Sequence, residues 1–306
     1  MRVSIVIPVY GSLVLEELAD RIDSVFRNRP EDDYEIIFVD DRSPGPWIWP
    51  TLERLAQERD RVKAVQLTRN FGQQAATLCG LREARGEVVV TMDDDLQHDP
   101  EDIPSLLAHA DRDIVIGQFE RKRHSLFRRV ASRIKGLFDQ ILLGKPKDIR
   151  LTSFRMLGRT VVDGILSIRT PNPFLPALMF HVSKDVVGVP VSHGARHGGR
   201  SGYTLRKLIR LFSNLIINNS SLVLRLVGAV GISFASISFL LAALVIYRKL
   251  VYGVAVQGWA SLFSALLLIG GLLLVSMGVV GEYLIRILES TELRPDYLVR
   301  RRLGFH

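Results

Sequence analysis

The sequence predicts an α/β domain built on a mainly parallel sheet, followed by a C-terminal hairpin of two membrane-spanning helices. Three observations lead there. Short β-branched runs alternate with amphipathic segments from Met1 to about Ile116, acidic residues close two of those runs, and charge almost disappears between Leu226 and Gly281.

The strands are expected at Ser4–Pro8, Glu35–Val39, Val62–Leu67, Val88–Met92 and Ile114–Ile116, where apolar and β-branched residues cluster between polar turns. Helices are expected near Leu15–Arg27, Trp49–Arg59, Gln73–Arg85 and Glu101–His109. Strand and helix in alternation favour parallel pairing, because each crossover helix returns the chain to the same edge. Ligands of such sheets bind at the carboxyl ends of the strands. Met1-Arg2 leads straight into the first strand with no signal peptide before it, which predicts a cytosolic start.

Leu226 to Tyr247 carries no charge and is long enough to cross a hydrocarbon core of ~30 Å. Trp259 to Gly281 forms a second uncharged run of the same kind. Arg206, Lys207, Arg210 and Arg225 precede the first run, and Arg286, Arg294, Arg300, Arg301 and Arg302 follow the second. Only Arg248 and Lys249 lie between them, so the positive-inside rule places both termini in the cytoplasm. Gly228, Gly231, Gly270, Gly271 and Gly278 allow close helix packing, within the pair or between copies in a homo-oligomer. Residues 124–143 form a basic amphipathic pattern, with Leu126, Phe127, Val130, Ile134, Leu137, Phe138 and Ile141 at helical spacing among Arg128, Arg129, Arg133 and Lys135. That helix fits a membrane surface and the protein's own core equally well. Tyr203 to Ile217 repeats the pattern beside the first span, where the membrane reading leads.

A net charge of +8 points to anionic partners. The basic residues gather beside apolar segments, which favours phosphate ligands and anionic lipid over nucleic acid. The interleaved aromatics of a single-strand binding platform are absent too. The lone cysteine, Cys79, excludes an intramolecular disulfide and reads as a small core residue. The sequence lacks Gly-x-Gly-x-x-Gly, Gly-x-x-x-x-Gly-Lys and Gly-x-Ser-x-Gly, so dinucleotide, P-loop and serine-hydrolase chemistry are not indicated. His193 and His197 lie four apart in a glycine-rich stretch without a zinc-protease glutamate and read as loop residues.

The acidic residues carry the chemistry. Val39-Asp40-Asp41 closes one strand and Met92-Asp93-Asp94-Asp95-Leu96-Gln97 closes another. Strand alternation would turn Asp93 and Asp95 to one side, if strand geometry continued through them. Neighbouring carboxylates repel, and Mg²⁺ or Mn²⁺ shared with a substrate diphosphate would neutralise them. A solvated acidic turn is the competing reading.

These residues resemble the family 2 glycosyltransferases. Ile5-Val6-Ile7-Pro8-Val9-Tyr10, Val39-Asp40-Asp41-Arg42-Ser43, Arg69-Asn70-Phe71-Gly72 and Asp93-Asp94-Asp95-Leu96-Gln97 stand in that family's order. The likeness is greatest to the polyprenyl-phosphate glycosyltransferases, the group that includes dolichol-phosphate mannose synthases. Ser153-Phe154-Arg155, Arg196 with Ser201-Gly202-Tyr203 and Lys207, Gly281 to Arg286, and Arg294-Pro295-Asp296-Tyr297 resemble its later motifs. Pro173-Phe174-Leu175-Pro176-Ala177 is similar to a segment of the bacterial aminoarabinose-lipid transferases.

The resemblance implies a GT-A fold and a divalent metal, Mg²⁺ or Mn²⁺. It implies that Pro8, Tyr10, Asp40, Asp41, Arg69, Asp94 and Gln97 bind the donor, and that Asp93, Asp95 and Gln97 surround the metal and donor diphosphate. Asp93, Asp95 and Arg155 are the expected catalytic residues. Arg121, Arg123, Arg196, Ser201, Tyr203 and Lys207 are expected to face the acceptor or its phosphate. The donor is a nucleotide sugar, with a UDP-sugar favoured over a GDP-sugar, and the acceptor is a polyprenyl phosphate, undecaprenyl in a bacterium. The implied layout is a cytoplasmic catalytic domain over 1–200, a juxtamembrane amphipathic helix over 201–225, spans at 226–247 and 259–281, and a cytoplasmic basic tail over 282–306, in a bacterial inner membrane.

The sequence also departs from the family. Pro8-Val9-Tyr10-Gly11-Ser12 lacks the usual Asn-Glu, Pro44-Gly45-Pro46-Trp47-Ile48-Trp49 replaces a small polar loop, and Ser201-Gly202-Tyr203 lacks a lysine. These changes bear on which nucleotide and sugar are taken, more than on the reaction. Two other readings compete. A processive polysaccharide synthase would carry Gln-x-x-Arg-Trp and more spans, and a non-catalytic membrane scaffold would not need the acidic cluster.

Overall fold

The computed structural model describes residues 1–119, 146, 148–170, 173–192, 258–291 and 295–305, with single positions between 231 and 251. The chain divides into two compact units: Met1–Gly202 with Arg294–His306, and Tyr203–Leu293.

The first unit is an eight-stranded sheet in the order β7-β5-β6-β4-β1-β2-β3-β8. Its strands are β1 (Arg2–Val9), β2 (Asp33–Asp40), β3 (Val62–Leu67), β4 (Val88–Thr91), β5 (Ile114–Phe119), β6 (Arg155–Gly158), β7 (Val186–Val191) and β8 (Val299–Leu303). β1 pairs in parallel with β2 and β4, β2 with β3, and β5 with β7. β6 and β8 run against their neighbours. The sheet is therefore mostly parallel, as the alternating pattern predicts.

Three crossover helices match the expected positions: α1 (Leu15–Arg27), α2 (Ile48–Glu58) and α3 (Gln73–Glu83). α1 buries Leu15, Leu18, Ala19, Ile22, Val25 and Phe26, the spacing of one helical face. Glu16 and Glu17 stand in its first turn and Arg27 in its last, each complementing the helix dipole. α3 is held close to the sheet by Gly80, where any side chain would strike Val6 and then Val39. A 3₁₀ turn at Pro100–Asp102 and α4 (Ile103–Leu107) follow β4. α5 (Arg159–Ser167) and α6 (Leu175–Val182) complete the described part of this unit, apart from β7 and β8.

Both sheet edges are protected in ways that hide them in the sequence. β7 contains Gly188 and an exposed Pro190, and a proline is tolerated at an edge because one row of its N–H groups needs no partner. β8 reads Val-Arg-Arg-Arg-Leu, and charges on an edge strand discourage pairing with another chain. The sequence reading placed no strand at 155–158, 186–191 or 299–303.

In the second unit, α7 (Trp259–Thr291) is 33 residues long and continues past the expected end of the second span at Gly281. Its stretch Leu268–Ile285 has a mean hydropathy of 2.0 with none of it buried, long and apolar enough to cross a membrane. Among the described residues it is the one helix of that kind. The first expected span, 226–247, lies mostly outside the described residues, so the two-helix hairpin rests on the sequence. The amphipathic segments at 124–143 and 203–217 lie outside them as well.

Candidate active site

The chain reverses direction across the sheet between β4 and β1, since β2 and β3 lie on one side of β1 and β4 on the other. Such a switch point opens a crevice at the carboxyl ends of the strands. Pro8 shows how the crevice starts. The β1–β4 ladder ends at Val6 and Thr91, so Pro8 has no β4 partner to which it would owe an N–H. Beyond it, Tyr10 is 56% exposed and Gly11 adopts φ 79°, which turns the chain away.

The acidic motif is a turn rather than a continued strand, which corrects the alternation expected for Asp93 and Asp95. β4 ends at Thr91, and Leu96 has φ 58°, a left-handed conformation that costs a branched residue about 1 kcal/mol. Leu96 is buried, and its apolar contacts hold the turn in this shape. Arg21 of α1 pairs with Asp99 at 2.6 Å and also with Glu101, pinning the segment that follows.

Each acid of the turn points to a different neighbour. Asp93 accepts hydrogen bonds from Gln73 Nε2 and from Ser153 Oγ, both at 2.6 Å. Its N–H donates to His98 Nδ1 at 3.0 Å, and the His98 ring is stacked between Phe119 and Phe154. Asp94 accepts from the Tyr10 N–H at 3.0 Å, while Ser12 Oγ donates to the Asp94 carbonyl at 2.6 Å. Burial first, and then the charges of Asp93 and Asp95, push the Asp94 carboxyl up to about 6 against the Tyr10 hydrogen bond. The Asp95 carboxylate accepts from the Gln97 N–H at 3.1 Å and the Gln97 side-chain amide at 2.7 Å.

The second acidic pair is built differently. Asp40 is buried and accepts from the Ser43 N–H at 2.8 Å and Gln66 Nε2 at 2.9 Å. Asp41, also buried, accepts from the N–H groups of Phe71 at 2.7 Å and Gly72 at 2.8 Å. Burial pushes its carboxyl up, the two N–H groups pull it down, and the charge of Asp40 adds to the rise that results. Gly72, at φ 96°, lets the loop after β3 present both N–H groups to one carboxylate. Asp41 thus ties the Arg69-Asn70-Phe71-Gly72 loop to the end of β2. Arg69 is exposed with its guanidinium 4.4 Å from the centre of the Phe71 ring.

Arg155, the first residue of β6, is only 4% exposed. One guanidinium nitrogen lies 3.0 Å from the Met179 sulfur of α6, and its Nε has no hydrogen-bond partner. Burial lowers its pKa to about 10, with Asp93 opposing the shift. A buried guanidinium without a full set of acceptors is poised for an anion. α6 belongs to the segment that begins at Pro173, and the Leu175 N–H donates to Gln74 Oε1 of α3 at 3.0 Å.

The residues at this crevice fit a divalent ion shared with a ligand. No cluster of three histidines, cysteines or carboxylates forms a closed cage among the described residues. A hard cation held by one or two carboxylates and a diphosphate needs no such cage, and the Asp93–Asp95 turn supplies acid oxygens of that kind.

The structure therefore places Pro8, Tyr10, Asp40, Asp41, Arg69, Asp93, Asp94, Asp95, Gln97 and Arg155 around the ends of β1, β2, β3, β4 and β6. Arg121, Arg123, Arg196, Ser201, Tyr203 and Lys207 lie outside the described residues, as do His193 and His197. Sequence reasoning missed Gln73, Ser153 and His98 as partners of Asp93, and Ser12 and Ser43 as partners of the two acidic turns. Their signal was weak: each is a common polar residue standing next to a motif.

An α/β domain with acids gathered at the carboxyl ends of its strands is that of a ligand-binding enzyme, and residues 4–166 match the family described as glycosyl transferase family 2. The chain belongs to that family and is a glycosyltransferase. Among its relatives is the undecaprenyl-phosphate 4-deoxy-4-formamido-L-arabinose transferase of Proteus mirabilis, 33% identical over 99% of this chain and 94% of the relative. The enzyme of the same name from Pseudomonas fluorescens strain SBW25 is 35% identical over 98% of this chain and 89% of its own length. In fold the chain is similar to glucosyl-3-phosphoglycerate synthase of Mycobacterium tuberculosis, crystallised with Mn²⁺, UDP-glucose and phosphoglyceric acid. That likeness has a TM-score of 0.51 and 15% identity, and covers 71% of this chain and 78% of the other. A second crystal structure of that synthase, with Mg²⁺ and UDP, has a TM-score of 0.50 and 14% identity over 71% and 77% of the two chains. The sheet is thus GT-A-like.

Proposed function

We propose that this protein transfers a glycosyl group from a nucleotide sugar, a UDP-sugar by preference, to undecaprenyl phosphate at the cytoplasmic face of a bacterial inner membrane. One observation carries the reading: the Asp93–Asp95 turn follows β4 directly beside Arg155 of the paired strand β6, whose buried guanidinium feels the charge of Asp93. Acid oxygens beside a cation lacking acceptors suit a diphosphate bridged to a divalent ion. Full-length likeness to undecaprenyl-phosphate sugar transferases supports the acceptor.

In this reading the donor base and ribose lie against Tyr10, Asp40, Asp41 and Arg69, with Pro8 shaping the floor. Asp93, Asp95 and Gln97 hold Mg²⁺ or Mn²⁺ with the diphosphate, and Asp94 keeps Tyr10 in place. The ion, when bound, supplies Lewis-acid stabilisation of the leaving diphosphate. An acceptor phosphate oxygen forms the new bond to the anomeric carbon as the bond to the diphosphate breaks, with inversion. The phosphate is already an oxyanion near neutral pH, so no side chain has to remove a proton. The protein's work is alignment and stabilisation of charge. Arg155 would face the diphosphate, and Arg121, Arg123, Arg196, Ser201, Tyr203 and Lys207 the acceptor.

The catalytic domain takes 1–200 together with β8 of the returning tail, with 201–225 at the membrane, spans at 226–247 and 259–281, and 282–306 returning to the cytoplasm. The apolar, unburied stretch Leu268–Ile285 supports the second span. Purified protein in detergent, incubated with undecaprenyl phosphate, Mg²⁺ or Mn²⁺ and a panel of nucleotide sugars, should yield a glycosylated lipid phosphate by mass spectrometry. EDTA should abolish it. Unmodified lipid with every donor would overturn the reading.

A further inference from the structure

A second cavity lies away from the acidic turn, at the ends of β2, β3 and β8. It has a volume of about 520 Å³, and none of Tyr10, Asp93 or Asp95 lines it. Its walls come from the Pro-Gly-Pro-Trp-Ile-Trp stretch that departs from the family pattern, through Pro44, Pro46 and Trp49, and its charge from Arg42, Arg300 and Arg301.

Two features of the lining point to an anion. Asp40, the one acid there, is already bonded to Gln66 and Ser43, so it leaves little to balance three guanidinium groups. Arg42, Arg300 and Arg301 form no ion pair with any described residue, whereas Arg302 beside them pairs with Glu83 at 2.9 Å. Trp49 is 8% exposed, and its indole N–H has no acceptor. The indole nitrogen is closed off from solvent, so Trp49 serves as a wall of the cavity and not as a donor to its contents. Proline and indole walls are rigid, so a ligand would lose little by ordering them.

We propose that this cavity binds a phosphate-bearing ligand distinct from the donor diphosphate, held by Arg42, Arg300 and Arg301 against the Trp49 indole. Ser43 connects the cavity to the crevice: its N–H bonds Asp40, and its Oγ accepts from the Gly11 N–H at 3.0 Å. The phosphate belongs either to a small soluble molecule or to a lipid headgroup, since both present the same oxyanion to the arginines.

The test uses full-length protein in detergent with Trp47→Phe and Trp259→Phe, so that Trp49 is the sole indole. EDTA is present to disable metal-assisted phosphate binding in the crevice. Inorganic pyrophosphate and dihexanoyl phosphatidylglycerol are titrated separately. A saturable change in Trp49 emission is expected with at least one of them, and which one responds identifies the source. Arg300→Ala with Arg301→Ala should raise the midpoint at least tenfold, Arg42→Ala should do so without touching β8, and Asp95→Ala should leave it unchanged. Flat emission with both probes, a response indifferent to the arginine substitutions, or one lost with Asp95→Ala overturns the proposal.

Discussion

Two acidic pairs end strands of the same sheet, yet they are built for different work. Asp40 and Asp41 are buried, and three of their four oxygens receive backbone N–H groups from the turns they hold, with Gln66 on the fourth. Asp93 and Asp95 are half-buried and take several of their bonds from side chains, those of Gln73, Ser153 and Gln97. Side-chain donors can rotate away when a ligand arrives, whereas backbone donors are bound to the fold. The first pair is therefore fixed by the fold as a rigid wall of the proposed donor site, while the second can exchange its bonds for those of a ligand.

Activity measurements should separate the pairs most sharply. Asp95→Ala should lower glycosyl transfer by roughly 100-fold or more, the scale of losing a charge-stabilising group, with the melting temperature nearly unchanged. Wild-type transfer at saturating lipid phosphate would remove Asp95 from the site. Arg155→Met should lower turnover at least tenfold without loss of melting temperature, because an apolar side chain relieves a buried guanidinium that lacks acceptors. A large drop in stability together with intact turnover would make Arg155 structural.

Asp41→Ala should act through stability instead. Leaving the Phe71 and Gly72 N–H groups without an acceptor costs about 2 kcal/mol, or roughly 4–8 °C in melting temperature for a domain of this size. An unchanged melting temperature would mean that the loop after β3 is held by something else.

The smallest effect concerns a third acid, at the opposite ends of the same strands. Burial pushes Glu35 up, but Lys63 at 2.5 Å, Ser4 at 2.5 Å and the Arg85 N–H outweigh it, so its pKa lies below the ordinary value. Its contribution to stability is complete above the unfolded value of about 4.3 and is lost as pH falls through the lower folded value. Denaturation profiles should show that loss in the wild type and a flatter acid limb in Glu35→Gln. Equal slopes would break the assignment.

Legibility follows the same physical divide. β1 to β5 were readable because buried parallel strands are continuous apolar runs, and α1 because its burial repeats with the helical period. β6 was hidden by its shortness and its leading arginine, β7 by Gly188 and Pro190, and β8 by three arginines that read as a basic tail. The Pro173–Ala177 segment was noticed as a likeness, but its place beside Arg155 through Met179 was not visible in the string.

By itself the sequence determined the positions of the first five strands and their mainly parallel pairing, the acidic motifs that end two of them, the family and the uncharged runs toward the C-terminus, because each is a local pattern of residue types. Only the tertiary structure decided which carboxylates are held by backbone N–H groups and which by side chains, that Arg155 is buried, and that the C-terminal arginines close the sheet beside a cavity. Those outcomes depend on partners far apart in the chain, such as Ser153 for Asp93, Phe71 for Asp41 and β8 for β3, and packing rather than local pattern brings such residues within hydrogen-bond reach.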